Sequence, residues 1–223
     1  MPRTSSDTRR ALYLAGLRRF ANEGWQSARI RDIVADAGQG NDSAINYHFG
    51  SRSGLLAQIL ADGVARMEGE RRADQARWRT DPPDLPEAVR AVVAPLADLL
   101  LDEEGRCTLR VIAQVGPLTE VGRTITAGPV GGTVLQDQLE VLVSETARRC
   151  GTEMARHRVR QLVVVVTSDL AARAEAAPDS FPPHREYVAD LVDWMSAGLG
   201  RPRVCAAVGR PGAADQAPET GAH

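Results

Sequence analysis

The sequence predicts an all-α protein, for three reasons. The composition is 43% hydrophobic but only 4% aromatic, and it is dominated by leucine, valine and alanine, which suits helices packed through aliphatic side chains. Apolar residues recur with the i, i+3, i+4, i+7 spacing of one-sided helices. Glycine, proline and N-capping residues separate these segments, as expected at helix boundaries. We therefore expect a set of helices around aliphatic cores.

The N-terminal part predicts three helices. The first spans about residues 8–22, after several N-capping residues, and ends at Gly24. Its predicted inward residues are Leu12, Ala15, Leu17 and Phe20. The second helix has one apolar face, formed by Ile30, Ile33, Val34 and Ala37. A glycine turn at 38–40 follows, and a third helix begins near Asn41 or Asp42 and runs to Phe49. Helix, glycine turn, helix is the layout of a helix-turn-helix DNA reader, although all-α proteins also contain such hairpins for packing alone.

The remaining segments also predict helices. Ser51 or Ser53 caps a long helix whose distal half, 68–79, is mostly charged and is expected to be largely solvated. Proline-rich residues 81–84 form the clearest break in the chain. Further helices are expected at about 86–101, 106–115, 119–127, 133–150, 152–176 and 185–199. Pro95 is a candidate kink within the first of these.

The valine run at 162–167 is the one segment that argues against an all-helical chain. Its β propensity is high, so a buried strand is a possible reading. Its flanking sequences favour helix, however, and no partner strand is visible. We therefore predict a valine-rich helix that is buried on most sides.

Residues 12–56 carry a recognisable combination of motifs. In order, they are Arg19-Phe20-Ala21, Gly24-Trp25, Ile30-Arg31-Asp32-Ile33-Val34, Ala37-Gly38, Tyr47-His48-Phe49, Ser51, Leu55 and Leu56. This stretch resembles the DNA-binding domain of the TetR family of bacterial transcriptional regulators. Between Ala37-Gly38 and His48-Phe49 the chain has one residue more than the commonest family spacing. The turn, or the start of the recognition helix, is therefore expected to be enlarged.

The resemblance implies which residues contact DNA. Base edges are expected to be reached from the start of the third helix, by Asn41, Asp42, Ser43, Ala44 and Asn46, although Asn41 or Asp42 is alternatively only the N-cap. Tyr47 and His48 are expected to touch the DNA backbone, and Phe49 to fill the small core. Arg52 is a further phosphate candidate. Arg29 opposes the helix dipole at a helix start, so it is either a phosphate-binding residue or a solvated arginine.

The family layout predicts the remaining organisation. Residues 1–52 are expected to form the DNA-binding domain, 53–200 a helical effector-binding and dimerisation domain, and 201–223 a disordered tail. A small-molecule pocket is expected to involve Trp78, Leu96, Leu99, Leu100, Val111, Gln114, Leu139 and Val143; the alternative for each is a plain core position. The dimer interface is expected to use Leu162, Val163, Val166, Tyr187, Leu191, Trp194 and Met195, the last four as one continuous stripe.

Charge and composition narrow the functional classes. Residues 1–52 hold eight arginines against five acids, while the whole chain has a net charge of −2, so a basic segment precedes an acidic body. Three widely spaced cysteines and four scattered histidines provide no disulfide framework, metal site or catalytic constellation. No cofactor is therefore expected, and a cytoplasmic location is the default. The resemblance to the TetR family implies a ligand-released repressor that binds a palindromic operator as a homodimer. The alternative is a helical effector-binding or protein-binding module whose DNA binding is secondary or lost.

Overall fold

The computed structural model describes residues 4–115, 132–176 and 181–202, and every regular element within them is helical. The helices are α1 (Ser5–Glu23), α2 (Ile30–Asp36), α3 (Ser43–Phe49), α4 (Arg52–Trp78), α5 (Leu85–Ala97), α6 (Glu103–Val115), α7 (Val134–Cys150), α8 (Thr152–Glu175) and α9 (His184–Gly200); a 3-10 turn, Asp98–Leu101, follows α5. The prediction of an all-α fold is confirmed.

α1 begins three residues earlier than predicted because Thr4 forms a capping box. The Thr4 hydroxyl accepts a hydrogen bond from the backbone N–H of Asp7, and the Asp7 carboxylate accepts one from the N–H of Thr4. These two bonds satisfy donors that a helix N-terminus otherwise leaves free. The four residues predicted to face inward from α1 are all buried.

The valine run lies inside α8, so the helical prediction is correct and the strand alternative is wrong. Leu162 and Val166 are buried, whereas Val164 and Val165 are exposed. The four residues therefore point in different directions around the helix, as a 3.6-residue period requires. The run is buried on one side of α8 and open on the other.

The distal half of α4 is mostly exposed, as predicted, but Arg71 is an exception. Arg71 is only 1% exposed, and its Nη1 donates to the carbonyl of Ala91 in α5 at 3.0 Å. Pro95 lies inside α5 and has no N–H to donate to the residue four positions earlier, which is Ala91. Arg71 therefore supplies the hydrogen bond that Pro95 removes from α5, and this pairing brings a charged residue into the core.

The buried apolar residues form two clusters. The N-terminal cluster contains the inward faces of α1, α2 and α3, the start of α4 at Leu55, Leu56 and Ile59, and Cys107 and Val111 of α6. The C-terminal cluster is formed mainly by α5, α7, α8 and α9. α6 contributes to both clusters, since Leu109 belongs to the C-terminal one. α4 contributes to both as well, since Met67 belongs to the C-terminal cluster, so the two cores are joined through α4 and α6.

Two sequence predictions fall outside the residues that the structure describes: the helix at 119–127 and, apart from its first two residues, the tail at 201–223. Among the described helices, none combines the length and apolarity needed to cross a membrane.

Candidate DNA-binding surface

The turn between α2 and α3 has a defined geometry. Gly38 adopts a φ of 68°, a conformation that favours glycine. Its N–H donates to the carbonyl of Ala35, and the N–H of Gln39 donates to the carbonyl of Val34. This pair of bonds is a Schellman motif, which satisfies the last carbonyls of α2 and turns the chain sharply.

The start of α3 is fixed by the side chain of Asn41. Its Oδ1 accepts a hydrogen bond from the backbone N–H of Ser43 at 2.9 Å. Asp42 occupies the N-cap position but makes no side-chain cap bond. Of the two residues predicted as alternative caps, Asn41 therefore has the structural role, and its oxygen is already engaged.

α3 has one buried and one exposed face. Ile45 is buried, and Phe49 packs against the same N-terminal cluster one turn later. Ser43, Asn46 and Tyr47 lie on the opposite side and are exposed, Tyr47 by 81%. A tyrosine ring so far from the core contributes little to folding. The exposed face of α3 is thus a row of hydrogen-bonding side chains on a rigidly seated helix.

Two predicted contact residues lie at the edge of this face. Ala44 and His48 are half-buried. Ala44 directly precedes Ile45, and His48 directly precedes Phe49 one turn later. The His48 ring makes an edge-to-face contact with Tyr47, with ring centroids 4.8 Å apart. This contact restricts the ring of Tyr47 although the side chain stands in solvent.

Arginines flank the exposed face of α3 in sequence. Arg29 is exposed at the N-cap position of α2 and makes no cap bond. Arg31, which the sequence reasoning did not single out, is also exposed and pairs with its neighbour Asp32 at 3.3 Å. A surface pair of this kind is weak, so Arg31 remains available to an anion. The exposure of Arg31 on the first turn of α2 is the feature that makes it a candidate for phosphate contact.

Arg52, a predicted phosphate contact, also has a partner within the chain. Its Nη1 donates to the backbone carbonyl of Gln26 at 2.7 Å. The bond ties the first turn of α4 to the loop between α1 and α2. Arg52 thereby has a structural role, although the other N–H groups of its guanidinium can still meet a phosphate.

A second arginine holds α2 against α1. Arg19 donates from Nε and Nη2 to both carboxylate oxygens of Asp36, at 2.6 and 3.0 Å. These hydrogen bonds lower the pKa of the Asp36 carboxyl below its usual range. The three-helix unit is thus braced on its surface as well as through its core.

α6 fastens this unit to the rest of the molecule. The Gln114 amide donates from Nε2 to the carbonyl of Phe20 at 2.9 Å and accepts at Oε1 from the N–H of Trp25 at 3.0 Å. Arg110 donates to the carbonyl of Ala21 at 3.1 Å. The end of α1 and the loop after it are therefore hydrogen-bonded to one face of α6.

These contacts correct part of the predicted ligand pocket. Gln114 faces the DNA-binding unit, and Val111 belongs to the N-terminal cluster. Neither residue lines the C-terminal body with the other six. Among those six, Leu99, Leu100 and Leu139 lie in the C-terminal cluster, Leu96 and Val143 pack against it, and Trp78 is half-buried. Whether they enclose a ligand stays a prediction.

The predicted dimer stripe divides between two sides of α9. Leu191 and Met195 are buried in the C-terminal cluster, whereas Trp194 is 62% exposed. Leu162 and Val166 of α8 are also buried, and Val163 and Tyr187 are half-buried. The four residues predicted as one continuous stripe on α9 therefore do not form one outward surface, because Leu191 and Met195 serve the core of the single chain. The outward apolar residues are Val164, Val165 and Trp194.

Comparison with known proteins identifies the fold. The structure is similar to a transcriptional regulator from Rhodococcus sp. Rha1, with 21% identity, a TM-score of 0.50, and coverage of 86% of this chain and 95% of the other. It is also similar to a TetR-family transcriptional regulator from Thermus thermophilus, with 19% identity, a TM-score of 0.53, and coverage of 86% and 100%. The chain has a TetR-like fold. No family model and no curated protein matches the sequence.

The TetR-like fold gives the geometry an architectural context. The matches extend over the three-helix unit and the body together, because they cover most of each chain. The sequence resemblance in residues 12–56 had indicated this fold from the N-terminal quarter alone.

Proposed function

We propose that the protein is a transcriptional regulator that binds double-stranded DNA through α3. The observation that carries the proposal is the exposed face of α3, where Ser43, Asn46 and Tyr47 stand in solvent on a helix fixed by Ile45 beneath it. A helix of this kind at the end of a helix-turn-helix fits the major groove. The likeness to solved regulators supports the same conclusion through the fold.

Each exposed group has a distinct role in the proposed complex. Asn46 and Ser43 reach base edges, and an asparagine can pair with adenine through two hydrogen bonds. Asp42 is available at the helix start to accept from cytosine. Tyr47, His48 and the arginines Arg29 and Arg31 meet phosphates, which fixes the position of the protein on the duplex without selecting a sequence.

The proposal includes a homodimer formed about a two-fold axis through α8 and α9. Two recognition helices can then occupy half-sites about 34–36 Å apart on a palindrome. In the single chain Val164 and Val165 of α8 and Trp194 of α9 stand in solvent. The exposed small residues Ala197 and Gly198 follow Trp194 on α9 and permit close approach of a second helix. This surface replaces the stripe predicted from the sequence.

We further propose that a small molecule bound in the C-terminal body releases the DNA, which makes the protein a repressor. α6 is one link between the body and the DNA-binding unit, because it contributes to both cores, as α4 does, and is also hydrogen-bonded to the end of α1. A ligand acts only through its differential affinity for the two states. Operator DNA must therefore weaken ligand binding by the factor with which the ligand weakens DNA binding.

The decisive experiment defines the DNA site and then tests the surface. Duplexes selected by the protein from a random-sequence library provide the site, and the affinity for it is compared with that for a scrambled duplex over a range of salt. We expect Asn46→Ala to cost about 1–3 kcal/mol and to relax preference at one base position. Arg29→Gln should weaken all duplexes and reduce the slope of log affinity against log salt by about 0.9.

Arg72→Gln is the matched control for Arg29→Gln. Arg72 is an exposed arginine on the distal half of α4, outside the proposed DNA surface. The Arg72→Gln substitution should leave both the affinity for DNA and its salt slope unchanged. If the library yields no enriched sequence and binding does not depend on salt, the protein is not a DNA-binding regulator, and the helical-binding-module alternative takes its place.

A further inference from the structure

The body contains a buried positive charge that the proposed function has not used. Arg71 of α4 is 1% exposed, and it lies between α5 and α7. Its Nη1 donates to the carbonyl of Ala91 and to Oε1 of Gln138, at 3.0 and 2.8 Å. Gln138 is itself fully buried. Both acceptors are neutral, so they orient the guanidinium without compensating its charge.

Within the described ranges, no carboxylate lies at ion-pair distance from Arg71. Glu68, one turn earlier, pairs with the exposed Arg72 at 3.4 Å instead. Burial lowers the pKa of Arg71 to about 10, with Glu68, Asp74 and Glu70 opposing the shift from a distance. The group thus remains charged at neutral pH although it is out of water. An unpaired buried charge is costly, and proteins usually place a counter-charge beside it.

One edge of the guanidinium has no charged partner. Nε is buried and makes no hydrogen bond. Nη2 donates only to neutral acceptors, Sδ of Met67 at 3.5 Å and the carbonyl of Val92 at 3.4 Å. The Nε and Nη2 groups together are a fork that matches the two oxygens of a carboxylate. The Ala91 carbonyl, which Pro95 leaves without a helical donor, explains the hydrogen bond from Nη1. It does not explain the orientation of the Nε and Nη2 fork.

Trp78 presents a second unpaired donor on the same side of α4. Its indole Nε1 is buried and makes no hydrogen bond. Seven residues separate it from Arg71, which is two helical turns or about 10 Å along the axis. Buried indole N–H groups usually have a partner. Both Arg71 and Trp78 therefore carry a buried donor that has no acceptor.

We propose that Arg71 recognises the carboxylate of a small amphiphilic molecule whose apolar body lies along α4 towards Trp78. The proposal deepens the proposed function, because it assigns a chemical class to the effector. A monocarboxylate fits better than a phosphate ester, because one guanidinium among Met67, Val92 and other apolar groups can balance a single negative charge. The arginine was hidden in the sequence by its charged neighbours, although Met67, Arg71 and Trp78 share one helical face.

The first test uses the unaltered protein and matched pairs of probes. Butyrate, octanoate, decanoate, benzoate and phenylacetate are each compared with the corresponding primary amide by isothermal titration calorimetry, without DNA. At least one carboxylate should bind at least about 10-fold more tightly than its amide, because a hydrogen bond to a charged group contributes roughly 1.5–3 kcal/mol. Equal affinity within every pair, or binding of none, would overturn the proposal.

Variants then locate the site with whichever probe binds. Arg71→Gln should lower its affinity by about 10- to 100-fold. Glu68→Gln should raise it, because a nearby negative charge disappears. Arg79→Gln removes the same charge at the exposed end of α4 and should change nothing. Circular dichroism checks that each variant is folded. If Arg71→Gln and Arg79→Gln bind the probe equally, or if Glu68→Gln weakens binding, the carboxylate is held elsewhere.

The outcome is independent of DNA binding. Ligand affinity is measured without an operator, so a protein that fails to bind DNA can still bind the carboxylate. Conversely, operator binding with no carboxylate binding would reject this inference and leave the proposed function intact.

Discussion

At the scale of single residues, Gln114 makes a connection that the sequence does not reveal. Its amide satisfies the carbonyl of Phe20 and the N–H of Trp25, two backbone groups just where α1 ends. From the sequence it is one polar residue in an apolar segment, and a pocket was the natural interpretation. The partner groups lie about ninety residues away along the chain, so helical periodicity alone cannot identify them.

Gln114→Leu should therefore destabilise the protein. The side chain keeps its approximate size, but the Trp25 N–H loses its partner, and an unsatisfied buried group costs about 1–3 kcal/mol. The Phe20 carbonyl keeps its bond from the N–H of Gly24. Urea denaturation followed by circular dichroism measures the loss. Gln26→Leu, at an exposed position in the α1–α2 loop, serves as the control and should change stability little. Equal effects of the two substitutions would contradict this role for Gln114.

Asp102 gives the junction a pH dependence. Its carboxylate accepts hydrogen bonds from Arg66 and from the N–H of Gly105 at the start of α6. The bond from Arg66 is the main cause that lowers the pKa of Asp102 below its usual range. The charged form therefore stabilises the fold at pH above the unfolded pKa, near 3.8. That contribution disappears as the pH falls through the lower, folded value.

Asp102→Asn tests this sign. At about pH 6 the wild type should be more stable than the variant, and the difference should be smaller at about pH 3, because that pH lies below the unfolded pKa of the Asp102 carboxyl, near 3.8. Urea denaturation of both proteins at both pH values gives the comparison, and other acids cancel in the difference. If the difference in unfolding free energy between wild type and variant is the same at both pH values, the hydrogen bond from Arg66 does not depend on the charge of Asp102.

At the scale of elements, the sequence predicts that a helix exists better than it predicts where the helix begins. The α2–α3 pair followed from four apolar residues and a glycine turn, and Gly38 indeed has the positive φ that the turn needs. Caps were less predictable, because Asn41 and Asp42 are both good capping types and only the geometry shows which oxygen meets the N–H of Ser43. Propensity ranks candidates, but the hydrogen bond itself depends on the turn that precedes the helix.

α4 and α5 illustrate a dependence between two elements. Pro95 removes the N–H that would bond to Ala91, and Arg71 of α4 replaces it. Neither residue is explained by its own helix: the arginine is buried against expectation, and the proline lies in a helix interior, where it normally costs about 3 kcal/mol. Arg71 compensates for Pro95 through a contact between α4 and α5, and the sequence pattern of neither helix predicts that contact.

A double-mutant cycle tests the compensation. Arg71→Met should destabilise the wild type more than it destabilises the Pro95→Ala background, because an alanine at position 95 can donate its own N–H to the Ala91 carbonyl. The expected coupling is about 1 kcal/mol, the net value of one hydrogen bond. Chemical denaturation of the four proteins supplies it. Additive effects would mean that the Ala91 carbonyl is satisfied in another way.

At the scale of the whole molecule, two cores share the helices α4 and α6, and this sharing limits what sequence order can predict. A boundary at residue 52 follows from the end of the recognition helix. The N-terminal core nevertheless includes Leu55 and Ile59 of α4 and Val111 of α6. A core assembled from distant segments is visible only when the chain is folded. The same limit explains the dimer stripe, since apolar residues on α9 served both the core and the outer surface.

The last prediction concerns the assembly. Trp194 is 62% exposed in the single chain, so Trp194→Asp should leave the monomer folded while placing an unpaired charge in the proposed dimer interface, at a cost of several kcal/mol. Leu101→Asp is the matched control, because Leu101 is 65% exposed but lies in the 3-10 turn and is not part of the proposed surface of Val164, Val165 and Trp194.

Light scattering should then report monomers for Trp194→Asp and dimers for both the wild type and Leu101→Asp, with similar melting temperatures for the two variants. DNA binding supplies a second readout, because a monomer can engage only one half-site. Trp194→Asp should lose tight binding to a palindrome while retaining weak, salt-dependent binding to a single half-site. A Trp194→Asp protein that is still dimeric, or a Leu101→Asp protein that has become monomeric, would show that the two-fold axis lies on another face, and the half-site spacing would then have to be derived again from that face.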